Sequence, residues 1–192
     1  VLAPTYATSF DNVNKGVNIT LYDGDLRAYK GSGLWNPAFG TQYMRAGKYY
    51  FEYKIYNTGA RYILTGLATS EASNSTHPCD ESEGICYYIK DGKQYINDSN
   101  SHMTSTTATN NDYVGFAVDM DLEIIDVYVN GNHVGSPGSD FSTPLRPAVG
   151  IYSQGDSVSV NFGASAFAYT PPTGYHPGIP DNVDYAYSFP DI

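Results

Sequence analysis

The sequence predicts an all-β fold, a two-sheet antiparallel β-sandwich. Three observations carry that prediction. Apolar and polar residues alternate through most of the chain, and helical periodicity is nearly absent. Turn dipeptides recur roughly every 10–15 residues. Tyr makes up 19 of the 192 residues and aromatics 15%, and aromatic rings suit a half-buried pleated face.

The elements follow in order. Residues 17–21 alternate, Asp23-Gly24 turns the chain, and residues 26–29 resume the alternation, which is a hairpin pattern. Residues 48–56 read Lys-Tyr-Tyr-Phe-Glu-Tyr-Lys-Ile-Tyr, an aromatic strand, and residues 61–69 form another that ends in small side chains. Residues 86–89 and 94–96 flank Asp91-Gly92 as a second hairpin. Residues 113–118 and 124–129 are strands, the latter ending at Asn130-Gly131. Both central residues of a type I′ turn need positive φ, which that dipeptide supplies. Residues 146–152 and 157–162 complete the set, joined by Ser153-Gln154-Gly155-Asp156. Two sheets would pack face to face, apolar alternates inward and Tyr, Thr and Lys outward. Segments 70–85 and 98–112 are rich in Ser, Thr and Asn and read as long surface loops.

Composition excludes several classes. Lys+Arg is 10 and Asp+Glu is 20, a formal net charge of −10. Such a surface does not favour nucleic acid, whose phosphates need cations. Hydrophobic residues at 41% are enough for a core and exclude global disorder. No apolar run approaches the ~20 residues that span a bilayer as a helix, so no membrane insertion is expected. Val1-Leu2-Ala3-Pro4 lacks the pattern of a signal peptide, and the chain is expected to be processed or a fragment.

Six segments in sequence over about residues 10–174 resemble the SPRY (B30.2-like) domain in its bacterial and phage form. They are Gly47-Lys48-Tyr49-Tyr50-Phe51-Glu52, Thr65-Gly66-Leu67-Ala68-Thr69 and Asp112-Tyr113-Val114-Gly115-Phe116-Ala117-Val118-Asp119. Val127-Tyr128-Val129-Asn130-Gly131 and Arg146-Pro147-Ala148-Val149 follow. The last is Val160-Asn161-Phe162-Gly163 with Phe167-Ala168-Tyr169-Thr170-Pro171-Pro172-Thr173-Gly174. The resemblance implies a concanavalin-like jelly roll and a binding module without catalysis or cofactor. One segment departs from it: where relatives often carry Trp-Gly-Tyr, this chain has Gly84-Ile85-Cys86-Tyr87-Tyr88.

The resemblance also implies that end loops make the site. Trp35 and Asn36, in the loop before the Gly-Lys-aromatic strand, and Tyr152, Ser153 and Gln154, after Pro-Ala-Val, are the candidate ligand-binding residues, together with the 70–86 loop. Trp35 is the only tryptophan. An aromatic anchor with polar neighbours suits a peptide or a sugar ring; the alternative is a Trp that closes one end of the core. The expected partner is a protein or glycan on a host or cell surface, and the expected setting is extracellular or a virion surface, such as a tail fibre.

Cys79 and Cys86, the only cysteines, are expected to form a disulfide across a short loop, which suits an oxidising compartment; the alternative is two free thiols. A zinc site would need about four ligands, and only His77 lies near them, so no metal site is expected there. Asp119-Met120-Asp121-Leu122-Glu123 offers alternating acids, as glycosidases do. It falls between two strands, so it reads as a solvated turn, and no catalytic residue is assigned. Calcium ligation by these acids together with Asp23 and Asp25, or by Asp80, Glu81 and Glu83, lacks a recognised loop spacing. His77, His102, His133 and His176 read as surface residues. Asn18, Asn74 and Asn97 head N-glycan acceptor triplets.

Pro177, Pro180 and Pro190 mark residues 175–192 as an extended tail beyond a sandwich spanning 1–174. The tail is expected to pin onto the domain or a neighbouring subunit. Self-association through it, as one subunit of a filament or capsid, is the alternative function.

Overall fold

The computed structural model describes residues 5–80, 84–138 and 144–181. They form an antiparallel sandwich of two sheets. The strands are β1 (Phe10–Lys15), β2 (Ile19–Tyr22), β3 (Arg27–Lys30), β4 (Asn36–Gly40), β5 (Lys48–Tyr56), β6 (Ile63–Ala68), β7 (Gly84–Tyr88) and β8 (Lys93–Ile96). They continue as β9 (Ser99–His102), β10 (Tyr113–Asp119), β11 (Ile124–Val129), β12 (Asn132–Gly135), β13 (Arg146–Ile151), β14 (Ser157–Asn161) and β15 (His176–Pro177). One sheet has the order β1-β4-β13-β6-β7-β8-β9. The other has the order β12-β11-β10-β5-β14-β3-β2, with the short β15 paired to β5.

Period-two alternation builds the core. Tyr49, Phe51, Tyr53 and Ile55 of β5 face inward, and so do Ile63 and Leu67 of β6, Val114, Phe116 and Val118 of β10, and Val149 and Ile151 of β13. Phe51 stacks on Phe116 with ring centroids 5.7 Å apart. Tyr53 crosses the interior and donates its hydroxyl to the Gly66 carbonyl of the opposite sheet at 2.9 Å. Burial raises its pKa well above the ordinary tyrosine value. Asn130 and Gly131, at φ 50° and 77°, make the tight β11–β12 connection.

Several strands escape the alternation reading. β4 is the clearest. Asn-Pro-Ala-Phe-Gly reads as a turn, yet all five residues are buried between β1 and β13. A strand enclosed on both faces has no polar side to alternate with. Segment 98–112, expected to be loop throughout, contains β9, an exposed edge strand on β8. Asp119 is buried, not solvated: it accepts from the backbone N–H of Asp121 and Leu122 and pairs with Lys48 at 2.9 Å. These bonds hold the acidic run as the β10–β11 turn.

Nor do the outward tyrosines of β5 all face water. Tyr50 and Glu52 point away from the core but are buried, because the closing segment 163–181 folds over that sheet. Glu52 accepts from the Tyr50 hydroxyl and from the backbone N–H of Ala168 and Tyr169. Tyr50 packs edge-on against Phe167 at 5.3 Å. His176, expected at the surface, is buried, and Ile179 enters the core beside it. His176–Pro177 even form a two-residue parallel pairing with β5, where an extended tail without strand was expected. Residues 175–181 therefore close on their own sandwich; residues 182–192 of the tail lie outside the described residues.

Candidate functional site

The outer face of the seven-stranded sheet carries the site. Alternation decides which side chains reach it. On β6, Ile63 points into the core and Leu64 points out. Register places Leu64 beside Tyr88 and Gly150, and Gly66 beside Cys86 and Ala148. Tyr152 follows Gly150 by two residues on that face, and Tyr95 lies opposite Cys86. Trp35 enters from the residue before β4. The loop after β6, residues 69–80, lies over the far part of this face. Its Ala72 packs with Phe39, Ala68 and Ala148. Nearby, the buried Arg146 lays its guanidinium over the Phe39 ring at 4.2 Å.

Small floor residues let that loop come close. A Cβ on Gly150 would meet Pro78 Cδ at 2.8 Å and His77 Cβ at 3.2 Å. A Cβ on Gly84 would meet the Pro78 carbonyl oxygen at 2.2 Å. The disulfide Cys79–Cys86, with Cα atoms 6.3 Å apart, ties the loop to β7.

The loop stops short of the sheet end and leaves a cup. Trp35, Tyr62, Leu64, His77, Tyr88, Tyr95 and Tyr152 line a cavity of about 400 Å³. Its rings meet edge to face. Trp35 lies 5.6 Å from Tyr152, 5.6 Å from His77 and 6.3 Å from Tyr88, measured between centroids. Tyr88 meets Tyr95 at 5.6 Å, and Tyr62 meets Tyr152 at 5.7 Å. Tyr152 is 38% exposed, and Leu34, the residue before Trp35, is 73% exposed at φ 70°. An exposed leucine in the left-handed region is a costly conformation, of the sort that concentrates where a surface is used.

The sequence candidates separate. Trp35 and Tyr152 come together in the wall of the cup. Asn36 does not join them: one residue on, it points inward, buried, and accepts a hydrogen bond from the Lys30 ammonium of the opposite sheet. Burial lowers Lys30 to about 8. Ser153 and Gln154 sit in the turn that follows Tyr152, where the Ser153 carbonyl accepts from Asp156 N–H at 3.2 Å. Neither lines the cup. The cup is thus a sheet face with one loop wall, and Ser153, Gln154 and Asn36 lie apart from it. Tyr62, Tyr88 and Tyr95 went unread. Their signal was a shared outward parity around the glycine-bearing strands.

His77, expected at the surface, is a wall of the cup. Burial lowers its pKa below the ordinary imidazole value, and the carboxylates of Asp80 and Asp98 partly offset that. Ligand atoms of His77, Asp80 and Asp98 lie within 4.8 Å of one another, so these three could hold a metal ion. Glu81 and Glu83, also considered with Asp80, lie outside the described residues. A second cluster joins Ser136, His133 and Asp126 at the β12 edge, with His133 Nε2 3.1 Å from Asp126 and 3.4 Å from Ser136 Oγ. One imidazole nitrogen faces both partners, so the ring cannot relay a proton from serine to carboxylate as a triad does.

A two-sheet antiparallel sandwich with a preformed aromatic recess is the architecture of a domain that presents a surface. The SPRY domain model matches residues 48–165, and the chain belongs to the SPRY domain family. A Ran-binding proteins 9/10 homolog of Drosophila melanogaster is 28% identical over 164 residues, covering 81% of this chain and 17% of that protein. SPRY domain-containing protein 7 of Gallus gallus is 30% identical over 134 residues, covering 69% of this chain and 65% of that protein. The SPRY domain of human HERC1 superposes with a TM-score of 0.70 at 22% identity, covering 79% of this chain and 96% of that one. This chain therefore spans a small part of the Drosophila relative. These relatives are animal proteins, which corrects the expectation of a bacterial or phage type.

Proposed function

We propose that this domain is a non-enzymatic recognition module that binds a partner protein through the aromatic cup. SPRY domains mediate protein–protein interactions. The observation that carries the reading is the cavity of about 400 Å³ walled by Trp35, Tyr62, Tyr88, Tyr95 and Tyr152. Buried-edge aromatics of this kind supply binding area at low entropic cost and form the hot spots of interfaces. We also propose an extracellular setting. The Cys79–Cys86 disulfide supports it, since reducing compartments keep such thiols open.

A randomised peptide display library panned against the domain tests the reading. Selected peptides should bind the native domain and lose at least tenfold in affinity on Trp35→Ala or Tyr152→Ala, with far-UV and thermal signals of a folded domain retained. Enrichment that ignores both substitutions would contradict it. A glycan array run in parallel would redirect the cup to sugars if it alone gave Trp35-dependent hits.

A further inference from the structure

We infer that the cup selects a positively charged group, an alkylammonium or guanidinium carried by the bound peptide. This rests on the recognition reading above. Four features of the cup support it.

First, it is lined by aromatic rings steeply inclined to one another: Trp35 and His77 meet at 77°, Tyr88 and Tyr95 at 83°, and Trp35 and Tyr152 at 61°. A cation seated over the face of such a ring is attracted at close range. Second, two carboxylates lie beside the His77 wall: Asp98 Oδ1 is 3.8 Å from His77 Nε2, and Asp80 has a carboxylate oxygen within 4.8 Å of both. Third, a local ammonium already uses one of these rings: Lys90 Nζ lies 4.0 Å from the Tyr62 centroid. Fourth, the chain as a whole is anionic, at −10, which draws cationic ligands toward it.

Two lysines oppose the guest. Lys93 is paired with Asp91 at 3.4 Å, which offsets its charge. Lys90 remains a like charge on the rim and should weaken the guest. A neutral apolar guest would profit from the same rings but not from the carboxylates.

The test uses the only tryptophan as its reporter, because Trp35 is part of the wall. Titrate the domain with tetramethylammonium chloride at constant ionic strength, and separately with tert-butanol, a neutral probe of the same heavy-atom count. The cation should change Trp35 emission saturably at about millimolar concentration, and tert-butanol should bind about fivefold more weakly. Lys90→Gln should tighten the cation about twofold and Asp98→Asn should weaken it about twofold, with tert-butanol unmoved by either. Equal saturation by both probes, or no saturation by the cation, overturns the charge preference. So does a selected peptide that depends on Trp35 and carries no basic residue, and that last result leaves the recognition reading standing.

Discussion

The two outer faces of this sandwich start alike and end differently. Each presents tyrosines on outward-pointing positions of its central strands. On the eight-stranded sheet the closing segment 163–181 seals the middle of the face, where Tyr50 is 2% exposed and Glu52 1%, and leaves Tyr113 and Tyr128 half-buried beside it. Glu52 is tied there to the backbone N–H groups of Ala168 and Tyr169 and to the Tyr50 hydroxyl. On the seven-stranded sheet the 69–80 loop covers Phe39, Ala68 and Ala148, then stops and leaves Trp35, Tyr62 and Tyr152 partly open. A face that is sealed contributes stability. A face with the same residue types left half-open carries a standing solvation cost, which a ligand can relieve.

Substitutions on the two faces should therefore separate folding from binding. The largest folding effect belongs to the sealed face. Glu52→Ala leaves the Ala168 and Tyr169 N–H groups and the Tyr50 hydroxyl without their acceptor and should cost about 3 kcal/mol. Urea unfolding measures it, and peptide affinity of the folded fraction should hold. Next comes Cys79→Ala with Cys86→Ala. A cross-link with a sequence separation of 7 stabilises by about 2 kcal/mol, and its removal should also weaken binding because the loop wall loosens. Gly150→Ala should cost about 1 kcal/mol, since the added Cβ presses on Pro78 and His77. Its larger effect should fall on peptide affinity, read by calorimetry. A binding loss for Glu52→Ala, or none for Gly150→Ala, would break the division between the faces.

The smallest effect is a pH dependence. The folded state holds the His77 pKa below its ordinary value of 6.5, so below that pH the unfolded chain takes up more protons. Stability contributed by neutral His77 is full above pH 6.5 and falls as pH drops through the lowered value. Urea midpoints at acid and neutral pH should thus diverge more for the native chain than for His77→Gln. An equal difference in both would remove His77 as the titrating group.

These contrasts also explain what was readable beforehand. Strands β5, β10, β11 and β14 each have one core face, so alternation marks them in the sequence. β4 does not show, because Pro37 and Phe39 are covered by neighbours outside and Ala38 by the core inside. Trp35 stood out by being unique, and Tyr152 by following Pro-Ala-Val. Asn36 points inward because the residue next to the half-buried, outward Trp35 faces the opposite way on an extended chain. Tyr62, Tyr88 and Tyr95 could be assigned an outward parity but not an open one. Parity names the face of a sheet; whether a loop covers it depends on contacts distant in sequence. The same limit hid the sealing of Tyr50 and His176.

The most direct test of the account is a footprint. A display-selected peptide titrated into isotope-labelled domain, followed by ¹H–¹⁵N NMR, should move the Trp35 indole N–H and the amides of Leu64, Tyr88 and Tyr152 most. Largest shifts at Tyr50, Ala168 and Tyr169, on the sealed face, with Trp35 still, would contradict it.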